Sequence, residues 1–217
     1  RIGYLDDRLT GGKGFLYNYT EGVAEKRFWF SSFGHLDARV QAGIMWNQAP
    51  FTKLYIPMTS TSIFLGKNAF NLMQPMEFLF DKYVSLFATY YFKGWILNRI
   101  PGINRLKLRG VVSFSGIYGG LADKNNPFIL GNEGLYQFPD AAEYDINGEY
   151  LAGYTSSPIG ALPYLEMSVG LENILKFIRV DYVRRLTYNE YQLPSGHTRK
   201  INGWGRNGVK VTIRFAL

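Results

Sequence analysis

The chain has 217 residues, contains no cysteine and has only two histidines, His35 and His197. The lack of cysteine excludes a disulfide framework, and it is compatible with an exported protein that has none. No run of apolar residues approaches the roughly 18 that a membrane-spanning helix needs, which excludes a helical membrane protein. No G-x-S-x-G motif accompanies the histidines, so nothing indicates a serine hydrolase. These absences favour a protein that is not an enzyme.

Aromatic residues and glycine are abundant, with 16 Tyr, 16 Phe and 24 Gly. The formal net charge is +7, but Lys and Arg are spread along the chain without a basic run, which argues against nucleic-acid binding. The last nine residues, 209–217, alternate strictly between apolar side chains and Lys210, Thr212, Arg214 and Ala216. Alternation of this kind is typical of a membrane-spanning β-strand with one face toward lipid and one toward a lumen.

The same alternation predicts further strands at 35–47, 81–92, 105–118, 163–173 and 177–188. Two weaker strands are predicted at 14–20 and 23–32, on either side of a turn at Thr20-Glu21-Gly22, which makes about eight strands in all. The connections alternate between short and long, and we expect the long ones, 48–80, 119–162 and 189–208, to be outer loops. We expect 48–80, which is rich in apolar residues, to fold into the barrel mouth or to bind another chain.

Charged side chains inside the predicted strands fall on the polar phase, because a basic residue facing lipid at the midplane costs about 2–4 kcal/mol. Arg184 is the exception to this phase. The predicted lumen residues are Asp37, Arg39, Lys107, Arg109, Glu166, Glu172, Arg179, Asp181, Arg185, Lys210 and Arg214.

The sequence therefore predicts an all-β fold, a transmembrane antiparallel outer-membrane β-barrel spanning residues 1–217 as a single domain. The predicted location is the outer membrane of a Gram-negative bacterium, with membrane lipid as a partner. A barrel must be exported, and the chain begins Arg1-Ile2-Gly3 without a signal peptide, so we expect a late portion of a longer protein.

Several stretches are also similar to one protein family. They include Phe70-Asn71-Leu72-Met73-Gln74-Pro75-Met76-Glu77-Phe78, Leu97-Asn98-Arg99-Ile100-Pro101, residues 106–114, residues 121–127 and residues 178–188. The chain resembles the C-terminal end of Bacteroidota outer-membrane proteins in which a carboxypeptidase-regulatory-like β-sandwich precedes a large barrel of unknown function. The resemblance implies that these strands are the last part of a wider barrel, and it implies no catalytic residues.

Two outer loops carry candidate binding residues. Asp145, Asn147 and Glu149 place oxygen-bearing side chains at alternate positions, as Ca²⁺ prefers, although the same residues suit an Asn-Gly hairpin turn. Arg199, Lys200 and Arg206 form a basic loop that would attract the anionic glycolipid of the outer leaflet, or would simply be solvated.

Three functions follow from these patterns. The first is a non-enzymatic barrel that serves as a subunit or scaffold of an outer-membrane complex, with other outer-membrane or periplasmic chains as partners. The second is a transport barrel or channel for small solutes, either passive or energised through an N-terminal domain that this sequence lacks, for which an open lumen would be required. The third is an outer-membrane enzyme that uses the acidic outer loop, which would require clustered carboxylates with strongly shifted pKa values.

Overall fold

A computed structural model describes residues 1–5, 14–94, 97–101, 103–132, 135–138, 143–147, 150–153 and 155–213. The fold is all-β, with 52% of the described residues in strands. In the described part of the chain, no helix is long and apolar enough to cross a membrane. Six 3₁₀ turns occur there, Ser31–Phe33, Phe51–Lys53, Leu97–Arg99, Ile103–Leu106, Asp123–Asn125 and Gly203–Gly205.

One large antiparallel sheet of eight strands dominates the fold. Its strands follow chain order, β1-β2-β3-β5-β6-β10-β11-β14. Their bounds are β1 Ile2–Leu5, β2 Phe15–Trp29, β3 Gly34–Met45, β5 Lys82–Phe92, β6 Arg109–Gly120, β10 Tyr164–Ile174, β11 Ile178–Arg185 and β14 Asn207–Ile213. Three small two-stranded sheets are formed by β4 Phe78–Leu79 with β9 Ser157–Pro158, β7 Glu143–Tyr144 with β8 Tyr150–Ala152, and β12 Glu190–Gln192 with β13 Thr198–Lys200.

The all-β antiparallel prediction is confirmed, but the sheet does not close on itself within the described residues. β1 and β14 lie at its two edges and are not paired with each other. The predicted turn at Thr20-Glu21-Gly22 is wrong, because β2 runs without a break from Phe15 to Trp29 and Gly22 pairs with Ala42 of β3. The two strands predicted at 14–20 and 23–32 are thus one strand, and β1 is a strand that the sequence does not predict. The number of strands in the large sheet is therefore eight, as expected, although the set of strands differs.

The two faces of the sheet differ as the alternation requires. In β5 the side chains of Tyr83, Ser85 and Phe87 are buried, whereas Val84 and Leu86 between them are exposed. The neighbouring strands repeat this pattern in register, since directly paired residues share a face. We call the face that bears Tyr83 and Ser85 the inner face and the face that bears Val84 and Leu86 the outer face.

Connections at the two ends of the sheet differ in length. At one end, residues 30–33, 93–108 and 175–177 join neighbouring strands. At the other end, residues 46–81, 121–163 and 186–206 form long excursions that contain all three small sheets. The predicted alternation therefore places the shorter connections at one end of the sheet and the longer connections at the other.

Residues 46–81, which we call the inner segment, fold back onto the inner face. Its Phe70, Met73, Phe78 and Phe80 form one buried cluster with Phe87, Ile117 and Tyr164 of the sheet. The ring of Phe70 lies 5.1 Å from that of Phe87 and meets Tyr164 edge-on at 5.4 Å. Burial of these side chains stabilises the segment, at about 1.5–3 kcal/mol for each large apolar residue.

Candidate functional site

The candidate site is the polar inner face together with the inner segment. Most of the predicted lumen residues lie on this face, where strand register and burial place Asp37, Arg39, Arg109, Glu166, Glu172, Arg179, Asp181, Arg185 and Lys210. Lys107 does not belong to a strand, because β6 begins only at Arg109. Arg214 lies outside the described residues.

Glu166 of β10 binds the main chain of the inner segment. Its carboxylate accepts hydrogen bonds from the backbone N–H groups of Asn71, Leu72 and Met73 at 2.8, 2.8 and 2.9 Å. The Tyr164 hydroxyl donates a fourth bond of 2.6 Å to the same carboxylate. Glu166 is only 2% exposed. A buried carboxylate is costly unless it is hydrogen-bonded, and these four bonds offset part of that cost.

Glu77 of the inner segment forms a second anchor with Arg185 at the end of β11. Two parallel hydrogen bonds of 2.6 and 3.0 Å join the guanidinium to the carboxylate, and both side chains are fully buried. The Tyr191 hydroxyl and the Gln74 N–H also donate to Glu77, at 2.7 and 2.9 Å. The Arg185 guanidinium lies 4.7 Å from the centre of the Tyr164 ring, which adds a cation–π contact.

The electrostatics of this anchor favour the charged form of Glu77. Burial alone would raise the pKa of its carboxyl, but the attraction and hydrogen bonds of Arg185 outweigh burial, so the pKa lies below its usual value. The pKa of Tyr191 is raised, first by burial and then by the negative charge of Glu77. The Tyr191 hydroxyl therefore remains a donor, and Glu77 an acceptor, throughout the neutral range.

Lys210 of β14 provides a third anchor. Its ammonium donates to the carbonyl oxygens of Ser60 and Ser62 at 3.0 and 2.6 Å. Asp81, at the end of the inner segment, ties it to the next long connection, because its carboxylate accepts hydrogen bonds from the Asn125 side chain and the Ala122 N–H, each of 2.9 Å. The inner segment is thus fixed at several separate points.

A polar cavity of about 840 Å³ remains between the inner segment and the half of the inner face nearer the short connections. Small hydroxyl side chains of Thr89, Ser113 and Ser115 line it together with charged groups of both signs. Several charges are already paired there, Arg27 with Asp37, Arg39 with Glu25, and Arg179 with Asp181. Lys67, Arg109 and Glu172 line the cavity as well. It therefore offers hydrogen-bonding groups and charges of both signs, several of which are paired with each other.

The two histidines lie at opposite ends of the sheet, so they cannot form a shared metal site. The His35 ring stacks on Tyr91 at 4.6 Å near the short connections. His197 belongs to a long connection, where its ring stacks on Tyr144 at 4.0 Å and its Nδ1 lies 3.2 Å from the Ser195 hydroxyl.

The loop residues predicted to bind calcium and glycolipid occupy different environments. The Asp145 carboxylate accepts the Asn147 N–H at 2.9 Å, as in a hairpin turn, and Glu149 lies outside the described residues, so calcium binding stays a prediction. Arg199 is fully buried and donates to the Gln74 side chain, which removes it from the predicted glycolipid surface. Lys200 is exposed and Arg206 is half-buried.

Sequence patterns missed the central role of Glu77, Tyr164 and Tyr191. A local signal for Glu77 does exist, because it is the single charged residue among the apolar side chains of residues 69–80. A carboxylate in such a stretch is rarely buried without a partner. Its partner is 108 positions further along the chain, and no pattern in one sequence identifies it.

Comparisons with protein-family models, with curated proteins and with solved structures find no match to this chain.

Proposed function

We propose that this chain forms part of the wall of an outer-membrane β-barrel whose interior is occupied by its own inner segment. In this proposal the protein is not an enzyme, and it serves as a subunit or scaffold of an outer-membrane complex. The observation that carries the proposal is the apolar outer face. Large apolar side chains on six neighbouring strands are exposed there by more than a third, Val40, Val84, Leu86, Phe114, Val169, Leu171, Tyr182, Val209 and Ile213.

The size of this face supports a lipid environment. From Val84 to Phe92 the strand rises about 26 Å at ~3.3 Å per residue, close to the ~25 Å apolar band of outer-membrane barrels. Six strands spaced about 4.8 Å apart make the face about 24 Å wide. The resulting flat area of roughly 600 Å² is at the upper end of the apolar patches found on soluble monomers. The accessible area is larger still, because the side chains project from this plane.

Arg184 is the one arginine on the outer face of β11. It is exposed and lies one residue from the end of its strand, paired with Asn207 where β14 begins. A long side chain at this position can extend to the headgroup region while its aliphatic part stays in lipid. Its position is therefore compatible with a membrane-spanning wall.

The inner segment is the reason to propose a wider barrel. An eight-stranded barrel encloses a space just wide enough for its own side chains. Here the inner face carries a folded segment of 36 residues, 46–81, with buried aromatic rings of its own. Further strands must therefore complete the wall if the chain lies in a bilayer, in agreement with the family resemblance of its motifs.

The anchored interior favours a scaffold over a transporter. Glu166, Arg185 and Lys210 bind the inner segment through buried charged groups, and truncating one partner of a buried ion pair usually costs about 3–5 kcal/mol. A segment held in this way is costly to remove during each transport cycle. The long connection 121–163 can still contact other chains, because its Leu130 and Ile146 are almost fully exposed.

A transport barrel is the second candidate, and the polar cavity of about 840 Å³ favours it. A cavity lined by hydroxyls and paired charges suits water and small polar solutes. For transport, this cavity would have to continue past the inner segment to the long-connection end.

Three measurements on the full-length protein test the proposal. Reconstituted into phosphatidylcholine vesicles, the protein should float with the lipid and resist carbonate extraction; recovery in the soluble fraction would refute a membrane wall. In planar bilayers it should show no steady conductance, and a stable open channel in the native protein would favour transport. Purification in mild detergent should recover stoichiometric outer-membrane or periplasmic chains, and the lack of any such chain would refute the scaffold role.

A further inference from the structure

The exposed edge of β14 is partly covered by the inner segment. Val211 donates its N–H to the Ile63 carbonyl and accepts the Leu65 N–H, both at 2.9 Å, so that Phe64 pairs with Val211 in a parallel bridge. β11 occupies the other side of β14, with Val180 opposite Val211. Both hydrogen-bonding sides of this part of β14 are therefore in use.

Residues 63–65 are held at this edge by contacts of their own. The Phe64 carbonyl accepts the Ser60 hydroxyl at 2.8 Å, and the Phe64 N–H donates to the Ser62 hydroxyl at 3.2 Å. Lys210 donates to the Ser60 and Ser62 carbonyls from β14 itself. The short strand-like piece is thus fixed on both sides of its bridge to Val211.

The bridge also continues the apolar outer face. Directly paired residues share a face of a sheet, so Phe64 stands on the side of Val211, beside Val209 and Ile213. The Phe64 side chain is 53% exposed. Residues 63–65 therefore occupy the position, and present the polarity, of a ninth strand in the wall.

A strand that closes the wall would need the N–H and C=O groups of Val211 that residues 63–65 bind. In a strand, residues two apart direct their N–H and C=O groups to the same edge, so Val209, Val211 and Ile213 would all bind the closing strand. Strand directions alternate through the sheet, so this partner would pair antiparallel to β14 and carry apolar side chains on its lipid side. It cannot bind Val211 while residues 63–65 do.

We propose that residues 63–65 are a built-in cap on the edge of β14, and that the strand which closes the barrel wall displaces this cap to pair with Val211. Such a cap protects a long apolar edge from pairing with other chains before the wall is complete. The inference rests on the proposed function, because only in lipid must every backbone group of β14 find a partner.

Residues 1–217 contain no cysteine, so two thiols introduced here can be tested in the full-length protein against the same protein without them. In Phe64→Cys/Val211→Cys, the two thiols stand on paired residues of adjacent strands, at a Cα separation of about 5 Å that a disulfide can bridge. The matched control is Phe64→Cys/Leu171→Cys. Leu171 lies on the same face and in the same row, two strands from Val211 through Val180. It is therefore three strands from Phe64, at about 14 Å, which is too far for a disulfide.

The protein is refolded in mild detergent, oxidised, and then added to phosphatidylcholine vesicles. We expect the Phe64–Val211 pair to cross-link, the control pair not to do so, and the locked form to insert about tenfold less than its reduced form, because unpaired backbone groups in lipid are costly. Insertion is measured by heat modifiability and protease protection, and reductant should restore it.

The outcomes separate this inference from the proposed function. If the pair does not cross-link, or if the locked form inserts as well as the reduced one, the displaced-cap proposal is wrong. If the pair cross-links but neither form inserts, the membrane proposal fails, while the cap itself is supported as protection of a sheet edge.

Discussion

Replacing Glu77 with glutamine should destabilise the protein far more than the same change at an exposed ion pair. The neutral amide of Glu77→Gln would leave the Arg185 charge in a fully buried site, without its two charge-assisted hydrogen bonds. Breaking one partner of a buried ion pair costs about 3–5 kcal/mol. The matched control is Glu25→Gln, which removes a carboxylate that is half exposed and paired with Arg39, for an expected loss of about 0–1 kcal/mol.

Urea unfolding in detergent micelles, followed by tryptophan fluorescence, gives these differences directly. With a slope of about 2 kcal/mol per molar urea, Glu77→Gln should lower the midpoint by about 2 M and the control by less than about 0.5 M. The double variant Glu77→Leu/Arg185→Met should recover much of the loss, because it removes the Arg185 charge together with its partner. Equal shifts for Glu77→Gln and Glu25→Gln would refute the anchoring role of the buried pair.

Acid should abolish the contribution of the Glu77–Arg185 ion pair to the free energy of unfolding. The pKa of the Glu77 carboxyl is lower in the folded protein than its ordinary value, so its stabilisation is fully present above the unfolded value of about 4.3. It is lost as the pH falls from there through the folded pKa. The difference in unfolding free energy between native protein and Glu77→Gln should therefore be constant near pH 7 and shrink as the pH falls below about 4.3. A difference that grew on acidification would contradict the assigned sign.

Three further predictions concern the wall. Leu86→Arg on the outer face should cost about 2–4 kcal/mol in a bilayer, whereas Thr89→Arg beside the polar cavity should cost clearly less; equal losses would mean that the outer face does not contact lipid. A cysteine at Leu130 should react with an impermeant thiol reagent on intact cells and one at Leu175 should not, and the reverse result would invert the orientation. Deletion of residues 215–217 should abolish stable insertion while export continues, and a truncated protein that still gave a heat-modifiable, protease-resistant barrel would show that these residues are not needed for closure.

The two faces of the sheet are readable from sequence because alternation is a local property of each strand. The strands at 35–47, 81–92 and 163–173 lie within a few residues of β3, β5 and β10 for this reason. The prediction of a turn at Thr20-Glu21-Gly22 is wrong for a physical reason as well. Glycine in this position reads as a turn, but on a sheet near its edge it is tolerated inside a strand, and the pairing of Gly22 with Ala42 overrides its propensity.

The candidate site was predictable only in part. The polar phase predicted Glu166, Arg185 and Lys210 on one face, because alternate residues of a strand point to opposite faces of a sheet. It did not predict that they bind the inner segment, because their partners are 93 to 150 positions away in the chain. The sequence likewise does not predict that Arg199 is buried, since a basic residue in a polar loop normally stays in solvent.

Anchoring through the main chain has a consequence for variation in this protein. Glu166 binds three successive amides, and Lys210 binds two carbonyls, so neither recognises the side chains of the residues it holds. Exchange of Ser62 or Leu72 for another residue leaves these bonds intact, whereas proline at Asn71, Leu72 or Met73 removes one N–H outright. The inner segment can therefore change its exposed side chains, and with them any surface it presents, while its attachment to the sheet is preserved.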